Sequence, residues 1–204
     1  INHSHPTLRN CVITGNTASN GSGGGVYCAY SSPALTDCVI TNNMTIVDGG
    51  GVCCSFYSSP TLTGCTLTGN AADNGGAVHC SRGSHPMLTN CAITGNTANF
   101  GSGGGVYCEL SNPTLTGCTL AGNTASADGG GVRGRAANPT LANCILWGNM
   151  PQAIYVNSGS PVVTYCNVQG GYVGTGNIDT DPLFADNPDP GPDGYWGTPD
   201  DNFG

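Results

Sequence analysis

The feature that most constrains this chain is one sentence written along it again and again. Residues 86–112, PMLTNCAITGNTANFGSGGGVYCELSN, recur with small changes from Pro6, Pro33, Pro60, Pro113 and Pro139, and a decayed copy begins at Pro161. The starts lie 27, 27, 26, 27, 26 and 22 residues apart. A unit of this length cannot bury its own apolar face. A fixed period of about 20–50 residues therefore specifies a stack in which each copy packs on its neighbours.

Alternation inside the unit sets the local structure. In the first copy Leu8, Cys11 and Ile13 are apolar, and Thr7, Arg9, Val12 and Thr14 stand between them. The Leu8 column reads Leu until Val163, and the Ile13 column holds only Ile, Leu and Val. The Val12 column wanders from Val12 to Thr66 to Asn167. Constant apolar columns face inward and wandering ones outward, with the period of two that a strand imposes. The slip in alternation between Leu8 and Cys11 marks a bend near Asn10. One strand is expected over 7–9, a second over 11–14, and a third from Val26, Val52, Val78, Val106, Val132 and Ile154, with the Cys28 column inward.

Between the second and third strands stands a turn whose second residue is Asn in six copies: Asn16, Asn43, Asn70, Asn96, Asn123 and Asn149. Stacked Asn side chains can bond along the stack as an Asn ladder. Gly-rich runs such as Gly49-Gly50-Gly51 then suit positive φ or a very tight corner. Three short strands per repeat and no helical periodicity make an all-β parallel solenoid of six to seven coils, spaced by about 4.8 Å. The solenoid is expected over residues 1–173, and an irregular acidic tail, a cap or linker, over 174–204.

Charge narrows the partners. The chain of 204 residues carries four Arg, no Lys and a net charge of −8. Phosphate recognition needs clustered cations, so nucleic acid is not an expected partner. No apolar run reaches the roughly 20 residues that span a bilayer, so membrane insertion is not expected. The chain opens inside a repeat, and the expectation is a mature or excised piece of a longer secreted protein.

Gly75-Gly76-Ala77-Val78 followed by Ile93-Thr94-Gly95-Asn96 resembles the GGA(I/L/V) and FxxN repeats of polymorphic outer-membrane proteins of bacterial surfaces. The repeat is also similar to the broader right-handed parallel β-helix repeats of secreted bacterial proteins. Here Ile or Leu stands for the Phe, and GGGV mostly for GGA. The resemblance covers about residues 1–173. It implies a right-handed β-helix exposed outside the cell, often as an adhesin or surface passenger.

The tail offers a ligand pattern. Asp189, Gly191, Asp193, Gly194 and Asp200 follow the spacing of a calcium loop, with Asp at its last position. Asp189, Asp193 and Asp200 would supply carboxylates to Ca2+ and Tyr195 a carbonyl, with Asp179, Asp181 or Asp201 completing the shell. The alternative is an acidic linker. Asn2 and Asn20 begin sequons for N-glycosylation, and the sequon at Asn43 is expected to be used up in packing.

The twelve cysteines follow the repeat. Cys11, Cys38, Cys65, Cys91, Cys118, Cys144 and Cys166 form one column, and Cys28, Cys54, Cys80 and Cys108 a second. Successive coils stand too far apart for easy disulfides, so buried free thiols are the preferred reading, with cross-coil pairs near a corner left open. Cys53 lies in an outward column and is the plausible reactive thiol. That column reads Tyr27, Cys53, His79, Tyr107, Arg133, Tyr155. Its last three members suit a cation–π stack and a flat platform for a glycan or surface protein. Outward aromatics also simply stabilise neighbouring strands.

Three functional classes compete. A non-catalytic extracellular structural or adhesive role is preferred. A polysaccharide-binding or polysaccharide-cleaving enzyme is the rival, with Asp48 and Asp73 as the carboxylates that could approach each other. Ice binding by rows such as Thr61-Leu62-Thr63 is a minor third, because Ala34, Met87 and Val162 break the column. The first coil presents open strand edges, and such edges template pairing. Head-to-tail self-association into a filament is therefore the expected form of a structural role.

Overall fold

A computed structural model describes residues 1–184 of the protein. The first coil sets the pattern with β1 (Thr7–Arg9), β2 (Val12–Thr14), β3 (Thr17–Ala18) and β4 (Val26–Ala29). Each strand pairs in parallel with its copy one coil on. The result is four sheets of seven, seven, five and six strands. Leu8 lies opposite Leu35, Ile13 opposite Ile40 and Cys28 opposite Cys54. The molecule is a parallel β-solenoid of about six turns, wound right-handed, the hand that parallel crossovers favour. No helix occurs among the described residues.

The expected three strands per coil become four. The extra one is β3 and its copies, only two residues long in each of five coils. A pair such as Ala71-Ala72 is too short to display a period of two, so it reads as loop in the sequence.

The bend between β1 and β2 is a left-handed residue repeated up the stack. Asn10, Asp37, Asn90 and Asn143 hold φ of 50, 51, 51 and 55°, and Gly64 and Gly117 hold 61 and 63°. Asn, Asp and Gly tolerate this region best. The bend turns the Cys11 column inward beside the Leu8 and Ile13 columns. From the second coil onward these columns are buried to 2% exposure or less, as Leu35, Cys38, Ile40, Leu88, Cys91 and Ile93 illustrate. Burying one such Leu or Ile contributes about 1.5–3 kcal/mol. In the first coil Leu8, Cys11 and Ile13 are half-buried.

The Asn turn forms the expected ladder. Side-chain amides donate to the next Oδ1 from Asn16 through Asn123 at 2.8, 3.1, 3.0, 2.9 and 2.9 Å. Each buried Asn also donates back to a core carbonyl, as Asn70 does to Ile40 at 2.8 Å. Buried amides are tolerable only when satisfied in this way. Asn43 is fully buried, in keeping with its expected packing role, while Asn2 and Asn20 are exposed. The Gly runs are steric necessities: a Cβ on Gly50 would stand 2.5 Å from the carbonyl oxygens of both Ala71 and Gly76.

Pairing does not stop at residue 173. Ile178 bridges Asn167, the Ile178 amide donates to Cys166 at 2.9 Å, and the Asn177 side chain donates to Val163 at 2.9 Å. Residues 175–180 thus lie along the last coil and cover part of its edge. Asp179 accepts from the Gly170 amide at 3.2 Å and Asp181 from the Leu183 amide at 2.9 Å. The calcium expectation at Asp189, Asp193, Tyr195, Asp200 and Asp201 lies outside the described residues.

Candidate functional site

The outward column of the fourth sheet is assembled in register: Tyr27 opposite Cys53, Cys53 opposite His79, His79 opposite Tyr107, Tyr107 opposite Arg133, and Arg133 opposite Tyr155. The sequence places these side chains away from the core, and they are. They do not form an open platform, however. Tyr27 and Tyr155 at the ends are 36 and 37% exposed, while Cys53, His79, Tyr107 and Arg133 between them are 1, 4, 8 and 7%.

The cause is local. The Gly-rich corner runs close beside the column, and its residues Asp48 and Asp128 turn their carboxylates toward it. Asp48 Oδ2 lies 3.8 Å from His79 Nε2, and Asp128 Oδ2 lies 3.9 Å from Arg133 Nε. Along the column the rings cover one another. His79 stacks on Tyr107 with centroids 5.1 Å apart and planes 5° from parallel. The Arg133 guanidinium lies 4.8 Å from the Tyr155 ring centroid, so this part of the expected cation–π stack is formed. Further along the strand, Arg135 Nη1 pairs with Glu109 Oε1 at 2.9 Å across one coil step.

Electrostatics follow from this closure. Burial pushes the His79 imidazole below its ordinary range, and the Asp48 carboxylate pulls the other way. Cys53 Sγ stands 3.9 Å from His79 Nδ1, so thiol, imidazole and carboxylate lie in sequence. The Cys53 thiol is nonetheless pushed up to about 12, first by burial and then by Asp48. A reactive thiolate was the expectation at Cys53. A thiol with 1% exposure and that acidity is the opposite.

The two carboxylates of the enzymatic reading, Asp48 and Asp73, come from adjacent coils. Asp48 aligns with Asn74, whose side-chain amide donates to Asp48 Oδ1 at 3.2 Å, and Asp73 stands one residue off that register. Among the described residues no group of three or more His, Cys, Asp or Glu is placed to hold a metal ion.

Sequence reasoning missed a second outward stack. His3 and Tyr30 stack at 4.9 Å and 3°, Tyr30 and Phe56 at 5.2 Å and 20°, and the Arg82 guanidinium lies 4.4 Å from the Phe56 centroid. His3, Tyr30, Phe56 and Arg82 all have positive φ just beyond a bridge or strand. The signal in the sequence was an aromatic or long side chain one residue past the third strand in the early copies, at Tyr30, Phe56 and Arg82. That side chain falls outside the alternation.

The family model described as right handed beta helix region matches residues 2–170. A comparison with curated proteins found no match. The matching family includes both enzymes, pectate lyase-like, and non-enzymes. No described helix is long and apolar enough to cross a membrane.

Proposed function

The chain belongs to the right-handed β-helix family, and from that footing we propose that it is a non-catalytic extracellular rod with a structural or adhesive role. The observation that carries this reading is the closure of the outward column. His79 and Arg133 are enclosed, Asp48 and Asp128 are turned onto them, and Glu109 is paired with Arg135. The His79 imidazole and the Arg133 guanidinium are shut away from solvent, whereas a general acid or base must reach a substrate.

What such a rod offers a partner is repeated neutral surface. Exposed Thr side chains such as Thr61 and Thr63, and the stack of His3, Tyr30 and Phe56, are of the kind that contacts glycans or surface proteins. Self-association in this reading extends the rod along its axis, by the same in-register pairing that joins coil to coil. A bacterial cell surface, and Ca2+ in the 189–200 loop, belong to the same proposal.

The test is binding of the purified protein to an array of glycans and to cell-surface extracts, with electron microscopy of the native material. Saturable binding or axial rods support the reading. A discrete monomer that binds no surface component refutes it.

A further inference from the structure

The Asn ladder ends inside the chain, at Asn149. From Asn16 to Asn123 every rung gives two bonds to the Oδ1 of the next Asn, one from its backbone amide and one from its side-chain amide. The carbonyl of each rung in turn accepts from the residue after the next Asn, as Asn123 does from the Met150 amide at 2.9 Å. Register continues past Asn149, because Ile145 and Leu146 pair with Asn167 and Val168. The ladder position of the last copy is therefore Gly171, which has no side chain to bring an oxygen. Its amide turns back to the Val168 carbonyl at 2.9 Å.

Asn149 is 6% exposed. Its Oδ1 accepts from Asn123, and its Nδ2 donates to the Leu120 carbonyl at 2.8 Å. Among the described residues nothing accepts from its backbone amide or from the second hydrogen of Nδ2, and nothing donates to its carbonyl. In every earlier rung those two donors close on one amide oxygen, so at Asn149 they converge where such an oxygen would sit. The place is a cavity of about 390 Å3, lined also by Gly148, Met150, Pro151, Gln152 and Gln169. Small-ligand sites span about 300–1,000 Å3. No ionisable side chain lines the cavity, which favours a neutral oxygen over a carboxylate that would be buried without a counter-charge.

We propose that this cavity binds the acetamido group of an N-acetylated amino sugar. The acetamido oxygen takes the place of the Oδ1 of a further rung and accepts from the backbone amide and Nδ2 of Asn149. The acetamido N–H donates to the Asn149 carbonyl, as a backbone amide does lower in the stack. The methyl group packs on Met150 and Pro151. Gln152 and Gln169 give their Nε2 to sugar hydroxyls, since their Oε1 atoms are held by the Gly129 and Gly148 amides at 3.1 and 2.7 Å. The site deepens the adhesive reading above, on which it rests, by naming the glycan chemistry recognised.

Amide NMR of the isotopically labelled full chain, titrated with N-acetylglucosamine, reads the site directly. The backbone and side-chain signals of Asn149 should shift and saturate, while those of Asn96, whose donors are already used, should stay. Glucose lacks the acetamido group and should bind at least about tenfold more weakly, the size of one hydrogen bond lost at buried donors. Gln169→Glu keeps the acceptor for the Gly148 amide and exchanges only the donor, so it should fold as the wild type does and bind N-acetylglucosamine several-fold more weakly. Unmoved Asn149 signals at tens of millimolar sugar, equal shifts with glucose, or undiminished binding by Gln169→Glu would each overturn the proposal. Binding to a glycan array with Asn149 unmoved would overturn this site alone and leave the adhesive reading standing.

Discussion

The side-chain amide of Asn70 donates to Oδ1 of Asn96 at 3.0 Å, with both residues wholly excluded from solvent. Asn96 Oδ1 also accepts from the Asn70 backbone amide at 2.9 Å, and Asn96 Nδ2 reaches the Leu67 carbonyl at 2.9 Å. Asn96 Nδ2 donates as well to Asn123 Oδ1 at 2.9 Å, so one residue satisfies groups in the coils on either side of it.

Asn96→Ala should therefore cost at least about 3 kcal/mol, because each buried polar group left without a partner costs about 1–3 kcal/mol. Asn16→Ala, at an exposed position in the first coil, should cost about 1 kcal/mol or less. Urea unfolding of the two variants measures the contrast, and equal losses would deny the ladder its role.

His79 makes stability depend on pH. Its folded pKa lies below the unfolded value of about 6.5, so below that pH the unfolded chain binds more protons. Stability is then lost as pH falls from about 6.5 toward the depressed folded value, and no contribution remains above 6.5. The urea midpoint of the wild type should fall faster across this window than that of His79→Gln. Parallel curves would mean that His79 is not held neutral.

Cys53 should resist alkylation in the folded protein at pH 8, since burial and Asp48 push its thiol up to about 12. Labelling at Cys53, followed by mass spectrometry, should proceed only as fast as the coil opens. Rapid labelling under native conditions would restore the reactive thiol that the alternation suggested.

Much of this was legible beforehand. The Leu8, Cys11, Ile13, Val26 and Cys28 columns, the bend at Asn10 and the Asn turn all announce themselves, because a translated stack makes each position a column of like residues. What the columns did not show was context across the coil. Tyr107 and Arg133 read as outward and are outward, yet only the folded corner brings Asp128 beside Arg133 and closes the face. A second buried ladder stands two residues before Pro33, Pro60, Pro86 and Pro113, and the sequence reading did not single it out. There Ser31, Ser58 and Ser84 amides donate to the next Ser Oγ at 3.1 Å. Ser signals a turn as readily as a ladder, and only burial separates the two.

Gly50→Ala should destabilise by more than Gly15→Ala. A Cβ on Gly50 meets carbonyl oxygens at 2.5 Å, whereas nothing lies within 4 Å of one on Gly15. Overpacking against backbone costs about 1–3 kcal/mol or more, and the positive φ of 66° at Gly15 costs Ala about 1 kcal/mol. Thermal melts of both variants check the order.

Calcium should bind the 189–200 loop with heat detectable by titration calorimetry, and Asp193→Ala with Asp200→Ala should abolish that heat. An unchanged titration in the double variant would remove the loop from consideration.

The central claim is that the carboxylates of the rod are structural. The most direct measurement is mass-spectrometric detection of chain cleavage across a panel of neutral and acidic polysaccharides, for the wild type and Asp48→Asn. The account predicts no cleavage by either protein and a lower melting temperature for Asp48→Asn, which loses its carboxylate beside His79. Cleavage by the wild type that disappears in a folded Asp48→Asn protein would contradict it.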